Sequence, residues 1–336
     1  MRRWWLVAVG GLLVLAGGAA GYLGHRVQAW EQAPMPGTGK QVAVEVGADE
    51  SLAQVAEHLA ERGVVDDAQA FVRWVTHVEG ASADLRPGEL AFRDDMTPIQ
   101  VLAVLRAGTR VEHELVLIPG LRLDQVADRL AQAGLADVEA FMARARDPAF
   151  ARSLGIPGPS LEGYLAPGKY QFARHTPVDT LLKTLVAARY RAYSPEWRLR
   201  SRRFQMSDHE VLTLASIVEA ETRVDDQRER VAAVLTNRLK FDWKLDSDAT
   251  AAYAAWLATG TYPAKLSPAD LARDQPFNTH IHRGLPPGPI CSPGADSIKA
   301  ALWPARNDDM YFLPAEDGGY TFCEDLVCVQ AHQGHR

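Results

Sequence analysis

Residues 52–63, LAQVAEHLAERG, return at 123–134 as LDQVADRLAQAG. Leu52, Gln54, Val55, Ala56, Leu59, Ala60 and Gly63 match Leu123, Gln125, Val126, Ala127, Leu130, Ala131 and Gly134. The apolar members fall at helical spacing, and each glycine stands where a helix should stop, so both stretches predict an amphipathic helix. Working outward, Val42, Val44 and Val46 alternate with Ala43 and Glu45 before a turn at Gly47, and Ser51 opens the first helix. In the second copy Val116, Leu117 and Ile118, followed by Pro119 and Gly120, hold the same place. Past a one-residue slip, Ala70 and Phe71 correspond to Ala140 and Phe141. The pattern is an internal repeat of a strand and two helices.

Between the copies, Pro87 and Gly88 precede a short strand ending near Phe92, and Pro98 to Leu105 reads as a further helix. A strand, two helices and a closing strand of this size resemble a LysM-like module, a scaffold that often grips N-acetylglucosamine polymers. A spacer that holds the rest of the chain off a membrane is the competing reading, because fold analogy alone does not establish glycan binding.

A third region starts near Ser160. Pro177 to Tyr193 is helical by pattern, and Ser207 with Glu210 forms a capping box that starts a helix carrying Val211 to Thr222. Asp226 to Leu239 predicts the next helix, with Val231, Val234, Leu235 and Leu239 inward and Arg228, Glu229 and Arg230 outward. After Asp274 the chain is dense in Gly and Pro up to Gly294, which excludes a regular element. Ser297 to Leu302 is a short helix, and Tyr311 to Leu313 with Tyr320 to Phe322 reads as a closing β-hairpin.

The N-terminus predicts export. Trp4 to Leu23 is an uncharged run behind Arg2 and Arg3, long enough to span a bilayer as a helix, and the arginines favour an inside N-terminus. A cleaved signal peptide using the small residues Gly18 and Ala20 is the alternative; the length of the run and the interfacial Trp4 and Trp5 favour an anchor. Residues 31–40, with Pro34, Pro36, Gly37 and Gly39, read as a linker. The fold class expected is therefore α+β: a transmembrane anchor (1–30), the linker (31–40), a LysM-like region with the repeat (41–159), and a mixed α/β catalytic domain with a C-terminal β-hairpin (160–336).

Composition narrows the partners. A chain of 336 residues with a formal net charge of -6 has no basic excess for a phosphate backbone, which argues against nucleic acid. Cys323 and Cys328 are spaced to close a disulfide in an oxidising compartment, leaving Cys291 free; three unpaired thiols are the other reading. His209 with Glu210 has no second histidine a turn later, so it is no zinc-hydrolase pattern, and His280 and His282 read as solvated loop residues.

Glu219 and Glu221 end the helix that follows Ser207. At about 100° per residue they point about 160° apart, so only one can face a given cleft. Glu219 projects at the border of the apolar stripe, where partial desolvation suits a general acid. On pattern alone an ordinary helix-end role for both, with Glu221 pairing to Arg223 or Arg230, is the stronger reading, since a Glu on an amphipathic helix is commonplace.

Leu214 to Thr222 (LASIVEAET) resembles the signature of the MltG, or YceG-like, family of endolytic murein transglycosylases. Further likenesses follow in order: Arg230 to Leu239; Leu245, Ser247, Asp248, Thr250 and Tyr253; Asn278 and Thr279; Gly284 to Ile290; and Pro293 to Ala301. Upstream stand Glu162, Gly163, Tyr164, Leu165 and Pro167. Departures are Phe277 where that family often has Tyr, Tyr320 where a His is common, and the tail after Cys323. The resemblance covers about residues 40–325 and implies that Glu219 is the single catalytic acid/base. It implies cleavage of the bond between N-acetylmuramic acid and N-acetylglucosamine with a 1,6-anhydro end, no cofactor and no metal. The substrate implied is nascent peptidoglycan glycan near the membrane, with peptidoglycan synthases as candidate partners. Glu162, Ser216, Asp248 and Asn278 are the residues expected to hold sugar hydroxyls or acetamides, with structural capping of the Gly/Pro loop as the competing role. Two other functions compete: a hydrolytic muramidase using Asp246 or Asp248 as second carboxylate, and a non-catalytic glycan-binding anchor.

Overall fold

Local chemistry at the element ends explains where the first repeat starts and stops. The Ser51 hydroxyl accepts the Gln54 backbone N–H and the Gln54 side chain accepts the Ser51 N–H, which starts α1 (Leu52–Glu61). Gly63, at φ +72°, then turns the chain out of the helix. Strand β1 (Gln41–Val46) pairs antiparallel with β2 (Gly88–Arg93), with Gln41 opposite Arg93 and Val46 opposite Gly88. Val44, Val46, Leu90 and Phe92 are buried with Val55 and Leu59 of α1 and with Phe71 and Trp74 of α2 (Ala68–His77). Helix α3 (Pro98–Ala107), capped by Thr97, adds Val101, Leu102 and Leu105 to that core.

The computed structural model describes residues 18, 21–77, 85–222, 224–316 and 318–333. The expected span Trp4 to Leu23 lies outside the described residues apart from Gly18 and residues 21–23, and among the described residues no helix is long and apolar enough to cross a membrane. The expected linker is not free along its whole length. One carboxylate oxygen of Asp94 accepts the consecutive backbone N–H groups of Thr38, Gly39 and Lys40 at 3.0, 2.8 and 2.9 Å, which ties residues 38–40 to the end of β2.

The second copy repeats the order of the first. Strand β3 (Glu112–Leu117) is followed by α4 (Leu123–Gln132), α5 (Val138–Ala145) and α6 (Pro148–Ser153), and pairs with β4 (Gly168–Ala173). Gly134 has φ +66°, the same left-handed turn as Gly63, and Phe141, like Phe71, is fully buried. The copies part company in their packing. The described residues up to Glu112, with 173–175, form one compact unit, and the described residues of 113–172 belong with those of 176–333 in the other. A break at 159 and 160 is therefore not where the compact units divide: Leu123, Val126, Leu130 and Phe141 share a continuous core with Val211 to Val218.

The rest of this second unit is helical: α7 (Val178–Ala192), α8 (Pro195–Arg203), α9 (Asp208–Glu221), α10 (Arg228–Lys240), α11 (Asp248–Thr259), α12 (Pro268–Leu271) and α13 (Ala295–Leu302). Helix α9 starts on the expected Ser207–Glu210 capping box. Every residue from Val211 to Val218 is buried, because α8, α10, α11 and α13 surround it; a helix apolar on all sides needs such a sheath. Helix α8 was not legible as a pattern, since PEWRLRSRR has no apolar stripe; its start is set by the Ser194 cap and Pro195 in the first turn. The helix expected from Asp226 begins as a 3₁₀ turn, Asp225–Gln227, and becomes α-helical at Arg228. The hairpin forms as expected, β5 (Tyr311–Pro314) antiparallel to β6 (Tyr320–Cys323), followed by α14 (Leu326–Gln333). Cys323 and Cys328 are joined in a disulfide, and Cys291 is a buried free thiol.

Candidate active site

The last turn of α9 is where this buried helix emerges: Val218 is fully buried and Glu219 is half-buried. Glu219 Oε2 accepts the backbone N–H of Gly294 at 2.9 Å, and Gly294 is the N-cap of α13. An anion at a helix N-terminus meets unsatisfied N–H groups and the positive end of the dipole. Space at Gly294 is tight: a Cβ there would lie 3.1 Å from Pro119 Cγ and 3.4 Å from Glu219 Oε2. Opposite, the Pro119–Gly120 turn of the second repeat closes in, with a Cβ on Gly120 meeting Glu219 Cγ at 3.8 Å. Backbone bonds fix that approach, Gly120 N–H to Ser292 O and Ser292 N–H to Leu121 O, both 2.8 Å. The other carboxylate oxygen, Glu219 Oε1, has no hydrogen-bond partner among the described residues.

The Gly/Pro loop that supplies Gly294 is held at several points. The Ser216 hydroxyl accepts the Ile290 N–H at 3.0 Å while donating to Thr213 O, and the Cys291 thiol donates to Ser216 O. His209 Nε2 lies 2.9 Å from Pro287 O, and its Nδ1 2.7 Å from the Tyr164 hydroxyl; the carbonyl cannot donate, so Nε2 carries the proton and Tyr164 donates to Nδ1. Gly163 makes room for Pro289, which would sit 2.3 Å from a Cβ at that position. The buried guanidinium of Arg189 donates to Pro293 O at 2.8 Å, so the peptide joining Pro293 to Gly294 is gripped at its carbonyl by a cation and at its N–H by Glu219. Burial lowers Arg189 to about 10, opposed by Tyr170, Cys291 and Glu219, which leaves it charged at neutral pH.

The second glutamate has a different task. Ser247 Oγ and the Ala249 N–H donate to Glu221 Oε1 at 2.5 and 3.2 Å, so Glu221 caps α11. The Tyr320 hydroxyl donates to the Glu221 carbonyl, which pins the hairpin to the same turn at the position where a histidine was expected from the resemblance. Arg230, one expected partner of Glu221, pairs instead with Asp309.

Three of the four residues expected to hold sugar are buried and bonded internally. Glu162 accepts the Leu123 N–H and the Tyr253 hydroxyl on Oε2, at 3.3 and 3.2 Å, while its Oε1 has no partner; burial pushes its carboxyl up to about 8 against those two bonds. Ser216 clasps the loop as described. Asn278 donates to the carbonyls of Asp270, Leu271 and Arg273 and accepts the His280 N–H, closing the turn before the loop. Asp248 alone is exposed, at the first turn of α11, 3.1 Å from His280 Nε2. His282 lies 2.9 Å from Asp274.

Sequence reasoning missed Arg189, although a signal was present: it lies one turn after Leu185 on the apolar stripe of α7, where a charged residue is out of place. It also missed a cation–aromatic cluster. The Arg122 guanidinium sits 3.9 Å from the Tyr262 ring centroid and 5.4 Å from that of Trp256, and Arg146 sits 4.8 Å from Trp256. No spacing announces that assembly, because its members come from α4's N-cap, α5's C-cap, α11 and the turn after α11.

A family profile described as the YceG-like family matches residues 44–334. The chain is similar to an endolytic murein transglycosylase of Bacillus subtilis (strain 168), 28% identical over 303 residues that cover 85% of this chain and 82% of that protein. It is also similar to an endolytic murein transglycosylase of Streptococcus pneumoniae serotype 2, 28% identical over 324 residues, 88% of this chain and 58% of that longer protein. A crystal structure of a yceG-like protein from Listeria monocytogenes superposes with a TM-score of 0.60 at 29% identity, over 89% of this chain and all of that one.

Proposed function

The chain belongs to the YceG-like family, and from that premise we propose that it is an endolytic peptidoglycan lytic transglycosylase with Glu219 as its acid/base. The observation that carries the reading is the asymmetric hold on one carboxylate: Oε2 is fixed by the Gly294 N–H, Oε1 has no hydrogen-bond partner among the described residues, and the nearby Glu221 is occupied as a helix cap. In the first step the Glu219 carboxyl gives its proton to the oxygen linking the muramoyl and N-acetylglucosaminyl rings as the C1–O bond breaks. In the second, the muramoyl C6 oxygen bonds to C1 and its proton passes to the Glu219 carboxylate, leaving a 1,6-anhydro ring and a free 4-hydroxyl. The nucleophile is intramolecular, so the second carboxylate that would position a water in a hydrolase is unnecessary.

The arrangement supports this route over hydrolysis, because Asp246 contacts Arg238 and Asp248 contacts His280. The uncharged run from Trp4 to Leu23 supports a single-pass tether in the cytoplasmic membrane with the N-terminus inside. The enzyme would then meet nascent strands beside peptidoglycan synthases and its cut would end their elongation. The strand–helix–helix–strand order of the repeats supports a LysM-like, glycan-contacting role for them.

Glycan strands incubated with the purified chain are expected to yield 1,6-anhydro ends by mass spectrometry. Glu219→Gln is expected to lower the rate by at least ~10²-fold with an unchanged melting temperature. Ends heavier by one water identify a hydrolase instead, and full activity of Glu219→Gln removes Glu219 from the mechanism.

A further inference from the structure

The proposed reaction leaves open what the enzyme grips beyond the scissile bond, and the cation–aromatic cluster answers that. Gly120 approaches the Glu219 side chain at its Cγ, Pro119 packs against Gly294, and Leu121 is bonded to Ser292. Arg122 is the next residue; at ~3.3 Å per extended residue its backbone lies within about 7 Å of Gly120. Its guanidinium covers one face of Tyr262, whose ring is held at the turn beyond α11 with the residue 37% exposed. Arg122 thereby ties the cluster to the Pro119–Gly120 turn that packs beside the Glu219 side chain.

Its charge is unbalanced. Arg122 is paired with Asp124 through two hydrogen bonds, at 3.1 and 2.9 Å, whereas Arg146 is exposed on Trp256 and makes no ion pair among the described residues. Asp124 is bonded to Arg122, and the other carboxylate that acts on Tyr262, Glu221, is bonded to Ser247 and Ala249, so Arg146 is the cation left without a carboxylate among the described residues. Glu162, which also feels Arg122 and Asp124, does not cancel the excess, since its buried carboxyl holds its proton at neutral pH. A rigid ring with an exposed edge, backed by guanidinium groups, suits a sugar carrying an anionic substituent: the ring packs on apolar C–H groups and the cations meet carboxylates.

We propose that Tyr262, Arg122 and Arg146 form a subsite for the carboxylate-bearing peptide stem on the muramoyl residue next to the cleaved bond, so that the enzyme acts on stem-bearing strands in preference to stripped ones. The proposal rests on the transglycosylase reading for the identity of the polymer. It is tested with two substrates, strands that retain their peptides and the same strands stripped by an amidase, which hydrolyses the lactyl amide and leaves the lactyl carboxylate as the anionic group on each stripped muramoyl residue. The full chain is expected to show a kcat/KM about tenfold higher on stem-bearing strands, the scale of one hydrogen-bonded charge pair. Arg146→Ala and Tyr262→Ala are expected to collapse that ratio to within about twofold, and Arg146→Lys to keep part of it. The ratio is also expected to shrink at high salt.

Equal kcat/KM on both substrates, or a loss in Arg146→Ala that is the same for both, overturns the subsite. Binding of both strands to the Glu219→Gln variant, measured by titration, separates the two readings. A wild-type chain that cleaves neither strand defeats the transglycosylase assignment, while the ratio of the two dissociation constants still decides the subsite.

Discussion

Two carboxyl groups of the second unit show how one residue type takes two roles through its surroundings. Among the described residues, Glu219 at the end of α9 has one oxygen without a hydrogen-bond partner, whereas Glu162 is sealed inside with one oxygen bonded and the other alone. A buried carboxyl without a full set of donors is more stable protonated, and Glu162 is accordingly raised from 4.5 to about 8. The sign of the consequence follows from proton counting. Between about pH 4.5 and 8 the folded chain binds the Glu162 proton and the unfolded chain has lost it, so stability falls as pH rises through that window. The effect is on the order of a few kcal/mol at most. Glu162→Gln, which keeps an acceptor for Leu123 and Tyr253, is expected to flatten the decline in melting temperature from pH 5 to pH 8; an unchanged slope would show that Glu162 ionises normally.

At the scale of elements, helix ends do the positioning. The N-terminus of α13 receives Glu219 through Gly294, and the N-terminus of α11 receives Glu221 through Ser247 and Ala249. Both glutamates leave the same last turn of α9, which fixes the starts of two other helices relative to it. The two should separate cleanly under mutation. Glu221→Ala is expected to lower stability by about 1–2 kcal/mol, the worth of a helix cap and its bonds, while retaining most of kcat. Thermal melts and initial rates measured side by side check this. A catalytic collapse in Glu221→Ala without loss of stability would reverse the roles assigned to the pair.

For the whole molecule, the repeat is a case of one local pattern with two uses. The first copy closes a core of its own around Phe71 and Leu59, and the second gives Leu123, Leu130 and Phe141 to the core that surrounds α9. Residues 113–336 are therefore expected to melt cooperatively as a fragment. Residues 160–336, stripped of that packing, are expected to show a broad transition with exposed apolar surface, as measured by calorimetry and dye binding. A cooperative melt for 160–336 would place the boundary back at residue 160.

Periodicity and capping chemistry in the sequence determined the elements themselves: the repeat with its paired glycines, the Ser207 box, the hairpin, and α9 as the carrier of Glu219. These are short-range properties, set by side-chain spacing and by which backbone groups lack a partner at a helix end. Tertiary structure alone decided which of two adjacent glutamates caps a helix, that Glu162, Ser216 and Asn278 face inward, and that Arg122, Arg146, Trp256 and Tyr262 meet. Those outcomes depend on contacts between residues far apart in the chain, where burial and partner geometry arise only once the helices have packed.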